Sequence, residues 1–106
     1  MMDENRLTIW IVYGRYGTEL IRPEIHTSEK DAHEYIRNEI ANAVMSDFRE
    51  KLLNDGVNLM SAEDILMWGE ENDYCTENTY MGGSDWLELQ ATQVNFRIDV
   101  REEKTA

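Results

Sequence analysis

Apolar and polar residues alternate near both ends of the chain and recur every fourth position through its middle. Leu7 to Tyr13 (LTIWIVY) is rich in β-branched and aromatic residues and reads as a strand buried on at least one face. Gly14-Arg15-Tyr16-Gly17 reads as a turn with glycine at both ends, and Thr18 to Ile25 as a second strand, so the two form a hairpin. Pro23, the single proline, lacks a backbone donor and places this second strand at a sheet edge, or ends it. The period then changes. Thr27 and Ser28 offer N-caps, Glu29 and Asp31 occupy the first turn, and Arg49 and Lys51 lie in the last two turns of a helix that runs to about Asn54. Gly56 supplies the left-handed residue that closes it.

The apolar stripe of that helix is Ala32, Ile36, Ile40, Val44, Phe48 and Leu52. At about 100° per residue, a spacing of four drifts by roughly 200° from first to last. A straight helix cannot hold all six against one flat sheet. Either the helix bends or breaks near Ser46, or its C-terminal half packs on something else. If Val44, Phe48 and Leu52 stay uncovered within one chain, a homodimer would bury them.

Ser61 starts a second, short helix as its cap, with Asp64 in the capping-box position, Met60 and Ile65 as the hydrophobic staple, and an end near Gly69. Tyr74 to Met81 reads as a third strand, Gly82-Gly83-Ser84-Asp85 as a turn, and Trp86 to Val100 as a long final strand. In that last segment Leu87, Leu89 and Ala91 alternate on odd positions, and Val94, Phe96, Ile98 and Val100 on even ones. A β-bulge or bend around Ala91–Gln93 would bring both sets to one face. The predicted order is ββααββ: an α+β fold with an antiparallel sheet of about four strands, one long and one short helix covering one face. Residues 1–6 are polar and expected to fray.

Composition turns this frame into an expectation about partners. The 106 residues suit one domain with a core that needs neither metal nor disulfide, and the lone Cys75 can form no internal bridge. No apolar run reaches even ten residues, so neither a membrane span nor a signal peptide is expected, and the expected address is the cytoplasm. The formal charge is −12, and its distribution matters more than its size. Between Lys51 and Arg97 lie 45 residues without a base and with nine acids, which carry −9 of the −12. Such a one-signed field steers association, and it opposes direct binding to nucleic acid or anionic membrane, both polyanions.

The candidate chemistry is thin. Glu70-Glu71-Asn72-Asp73 lacks the glycine and the spacing of a calcium loop. His26 and His33 have no third ligand in sequence, Cys75 has no local base, and the Gly82-Gly83-Ser84 turn is not a nucleophile elbow. No phosphate-binding glycine motif occurs. No catalytic residue, cofactor or metal ligand is assigned. The acids themselves have a plain alternative role, as a solvated surface that keeps a small protein soluble. One detail speaks for more. Glu70, Glu71 and Asp73 sit at the C-terminal end of the second helix, where each opposes the helix dipole by about 0.3–1 kcal/mol. Trp68, Tyr74, Tyr80 and Trp86 fall in the same stretch, and aromatics among acids suit a protein partner. The plain alternative for these aromatics is core, narrowly so for Trp86. Because Trp86 lies out of phase with Leu87 and Leu89, one of those faces is open, and an exposed Trp beside carboxylates would anchor a basic partner.

The expected function is therefore that of a non-enzymatic acidic module that binds a basic surface of another protein. In its sharpest form it is a nucleic-acid mimic or inhibitor that occupies the basic site of a nuclease or other defence protein. The expected contact residues are Glu63, Asp64, Glu70, Glu71, Asp73, Glu77, Asp85 and Trp86. The runner-up is a self-associating small protein of a phage or mobile element, joined through Val44, Phe48 and Leu52. Third comes an enzyme that uses carboxylates without a local motif.

Overall fold

The computed structural model describes residues 6–83 and 86–97. Strands β1 (Arg6–Tyr16) and β2 (Glu19–His26) form the expected hairpin, followed by helices α1 (Glu29–Asn54) and α2 (Ala62–Glu71), and strands β3 (Thr79–Tyr80) and β4 (Leu87–Arg97). The sheet is antiparallel in the order β2-β1-β4-β3, so the fold is α+β as the sequence predicts. Ser84 and Asp85 of the predicted turn, and Ile98 and Val100 of the predicted last strand, lie outside the described residues. Among the described residues no helix is long and apolar enough to cross a membrane.

The strands differ from expectation in three places. β1 does not stop at Gly14 but runs on to Tyr16, which leaves a two-residue loop, Gly17 and Thr18, before Glu19. Arg6, grouped by sequence with the fraying residues, already pairs with Arg97. On the β2 side the register slips between Val12 and Gly14, where Arg22 and Pro23 face the single residue Tyr13. Pro23 thus sits in an edge strand at a bulge, a position that asks for no ladder donor. The predicted strand at Tyr74–Met81 shrinks to Thr79–Tyr80 with an isolated bridge from Cys75 to Tyr80. The segment doubles back on itself instead: the Thr76 amide donates to Thr79 O at 2.8 Å and the Met81 amide to Tyr74 O at 2.8 Å. The polar run Thr76-Glu77-Asn78 makes a turn where a strand needs alternation.

The expected bulge at Ala91–Gln93 is absent. β4 pairs with β1 in unbroken register, from Tyr16 opposite Leu87 to Arg6 opposite Arg97. Leu87, Leu89 and Ala91 therefore share a face with Val12 and Trp10, and Val94 and Phe96 point to the other face with Leu7, Ile9 and Ile11. α1 lies on the first of these faces, where the Trp10 ring meets His33 edge-on at 6.2 Å.

α1 is built as its ends predict. Ser28 is the N-cap and accepts the Asp31 amide at 3.1 Å. At the far end Gly56 takes φ +74°, and the amides of Gly56 and Val57 donate to Leu53 O and Leu52 O. The drifting stripe is resolved by a kink at Phe48, whose φ of −125° and ψ of 26° are not helical. α2 docks on α1 rather than on the sheet, with Glu63 near Arg37, Gly69 against Val44 and Trp68 against Phe48. Val44 and Leu52 are fully buried inside the single chain, and each burial contributes about 1.5–3 kcal/mol. Phe48 stacks on Tyr74 at 4.1 Å and leans on Trp68 at 5.9 Å. Of the three residues expected to join copies, Val44 and Leu52 are therefore covered within the chain and Phe48 is half-buried.

Candidate protein-binding surface

α2 sorts its residues cleanly. Ser61 caps it by accepting the Asp64 amide at 3.1 Å. Ile65, Leu66, Trp68 and Gly69 are buried, while Glu63, Asp64, Met67, Glu70 and Glu71 face solvent. The expected staple does not form, because Met60 is 92% exposed and Leu59 packs against the core in its place. The helix runs two residues past Gly69 to Glu71. Gly69 sits inside α2 against α1, where an added Cβ would lie 2.7 Å from Cys75 Sγ and 3.4 Å from Val44 Cγ2. Glycine is required there for close helix approach and not for a cap.

The true end explains one of the wrong-signed acids. Asn72 is the C-cap, Asp73 follows in the left-handed region at φ +63°, and its amide donates to Glu70 O while the Tyr74 amide donates to Gly69 O. This is the same hydrogen-bonded closure that Gly56 makes for α1, with aspartate in the glycine position. Aspartate tolerates that backbone better than most residues, yet its charge still opposes the dipole. Asp73→Asn is expected to raise stability by about 0.5–1 kcal/mol in a denaturant melt. A loss of stability would mean that the carboxylate is held by a contact of its own.

Other members of the acidic stretch also have structural work. Asp55 accepts the indole N–H of buried Trp68 at 2.7 Å, and Glu88 stands 4.0 Å from Arg15 on the uncovered side of the sheet. Of the aromatics, Trp68 and Tyr80 are core and Tyr74 is packed against it. Tyr80 donates to Asp47, and burial together with that partner pushes its hydroxyl far above the ordinary range. Cys75 is buried with its Sγ 3.9 Å from Leu66 O. Burial first, and then the Glu70 carboxylate, push its thiol up to about 11, so almost no thiolate exists near neutrality. His33 lies on Trp10, and His26 rests against Tyr35 with Nε2 3.8 Å from Glu24. Among the described residues no three His, Cys, Asp or Glu side chains gather closely enough to hold a metal ion.

The remaining acids gather only in part. Glu63, Glu70 and Glu77 line one shallow groove of about 370 Å³ with Arg37, Leu66 and Met67. Positions 63, 67 and 70 fall on one stripe of α2, and the turn after Thr76 brings Glu77 in from the other side. Arg37 and Glu77 also border a larger cleft of about 570 Å³, which runs past His33, Asn78 and Gln90 along β4. Asp64, Glu71 and Asp73 are exposed but do not line the groove, and Asp85 lies outside the described residues. Trp86 is 54% exposed at the start of β4, where its carbonyl accepts the Gly17 amide at 2.7 Å beside the hairpin loop. It is not part of the groove.

Sequence reasoning missed Arg37, whose Nη2 stands 3.8 Å from Glu63 Oε2. It belongs to α1, outside the base-free stretch, and only tertiary packing brings it among the carboxylates. Its spacing of four from His33 was the one available signal, since it placed both on one side of the helix. Comparison with protein-family models, with curated proteins and with solved structures finds no match to this chain.

Proposed function

We propose that the chain is a non-enzymatic binding module that docks a positively charged site of another protein on the α2 side. The observation that carries this reading is the convergence of Glu63, Glu70 and Glu77 on one groove beside half-exposed Met67. Three carboxylates share a single weakly held base, so an incoming lysine or arginine meets a net negative groove. Leu66 and Met67 supply apolar contact for the stem of such a side chain. In the sharpest form the carboxylates replace nucleic-acid phosphates in the basic groove of a nuclease or other defence protein. The −9 concentrated between Lys51 and Arg97 would then speed encounter through long-range steering.

Binding to a basic nuclease, followed from about 0.05 to about 0.3 M salt, tests the reading as the Debye length falls from about 14 to about 6 Å. Affinity is expected to drop steeply over this range. Replacing Glu63, Glu70 and Glu77 together by glutamine should cost about tenfold at low salt, mostly in the association rate. Glutamine at Glu29 and Glu34, two exposed acids of α1, should leave binding nearly unchanged. Affinity indifferent to salt, or equal losses in both variants, would sink the proposal.

A further inference from the structure

The sheet has a second face that nothing in the chain covers among the described residues. The paired positions on it carry Leu7, Ile9, Ile11 and Tyr13 from β1, Val94 and Phe96 from β4, and Ile25 from β2. Ile9, Ile11 and Val94 are half-buried without being packed on the core, so they shield one another, and Ile25 is 65% exposed. An antiparallel strand with one wet face alternates apolar and polar residues, whereas β1 is apolar on both sides. A contiguous apolar patch of this kind marks an interaction surface.

We propose that this face packs against the same face of a second copy of the chain. Charge selects that occupant. At the paired positions on the face the only charges are Arg15 and Glu88, 4.0 Å apart and of opposite sign. A basic partner finds no free carboxylate at these positions. The one base beside them, exposed Arg22 in the bulge opposite Tyr13, adds a single charge of the sign that an acidic second copy tolerates. Two copies of a −12 chain, by contrast, can meet at this neutral surface with their acids turned away. Stacked sheets lie about 10 Å apart and the helices lie outside them, so the two acidic α2 sides would stand about 30 Å apart, several Debye lengths at physiological salt. Three strands over about ten residues give a footprint of about 480 Å² before side-chain relief, below the roughly 600 Å² at the lower end of a standard interface side and in the range of a weak, reversible dimer. Rotation by a two-fold axis sets the apolar patch of one copy on that of the other, as a closed dimer requires.

Sedimentation equilibrium of the whole chain tests this. Mass is expected to rise toward twice 12.5 kDa by about 100 µM, the weak association that an interface of this size supports. Ile11→Lys and Val94→Lys should return the single mass, with melting midpoints close to the parent because neither residue is core. The groove variant with glutamine at Glu63, Glu70 and Glu77 should dimerise like the parent, so failure here and failure of the basic-partner reading are separable. A dilution series of the unsubstituted protein followed by amide chemical shifts covers the case in which a lysine variant unfolds. Concentration-dependent shifts should centre on β1 and β4 positions of this face. A single mass throughout, a dimer that both lysine variants retain, shifts confined to other elements, or a single mass that binds lipid vesicles instead would each overturn the proposal.

Discussion

Gly14→Ala is expected to lower stability by about 3 kcal/mol or more, a fall in melting midpoint of about 12–24 °C for a chain of this size. The cause is backbone and not conformation. A Cβ on Gly14 would collide with Glu88 O and lie 2.9 Å from both Glu88 C and Leu89 Cα. No rotamer change relieves a collision with the main chain, so β1 and β4 would have to separate along their pairing. Gly17 provides the contrast. It occupies the two-residue hairpin loop at φ +63°, where alanine costs about 1 kcal/mol through the left-handed backbone alone. Read as two ends of one turn, the glycines should be equally sensitive. The structure separates them about threefold, and equal losses in a denaturant melt would mean that β1 ends where the sequence suggests.

That pair of glycines shows where sequence reasoning succeeds and where it stops. Signals confined to one turn of chain held: Ser28 and Ser61 cap, Gly56 closes α1, and Pro23 lies in an edge strand. The four-residue drift of the α1 stripe also held, because a period mismatch is a geometric fact that some kink or second partner must absorb. What failed needed knowledge of the other side of an element. Leu87, Leu89 and Ala91 against Val94 and Phe96 reads as a slip only if one face of β4 is apolar; a strand apolar on both faces gives the same string. Gly69 reads as a helix end because nothing local says that Cys75 and Val44 press on it. The site divides the same way. The acidic field was plain, yet Glu63, Glu70 and Glu77 converge on Arg37 through contacts among α1, α2 and the turn after Thr76, which no periodicity encodes. The Asp73 charge, which helix stability alone does not explain, sits on a closing residue outside the groove, so the expected contact there is tested apart from the backbone role. Asp73→Asn does so: a gain in stability with a loss of affinity would mark a residue kept for binding at a cost to the fold.

Leu52→Ala carries the other large effect, about 3 kcal/mol, within the 2–5 kcal/mol that a fully buried leucine usually gives when truncated. Leu52 is 0% exposed, and its carbonyl also accepts the Val57 amide that closes α1, so the void would open beneath a fixed helix end that cannot readily collapse into it. Leu53, one position along and 54% exposed, should lose no more than about 0.5 kcal/mol on the same change. The contrast depends on the kink. On a straight helix the stripe would have rotated Leu52 away from the sheet, and a residue so placed would be either solvated or part of a contact between copies. With α1 redirected at Phe48 and α2 docked along it, Leu52 is core of the single chain. Truncation should therefore lower the unfolding midpoint at every protein concentration and leave the association state of the folded protein unchanged. A small stability loss joined to a change in mass would move Leu52 from the core to an interface, and with it the account of why this helix bends.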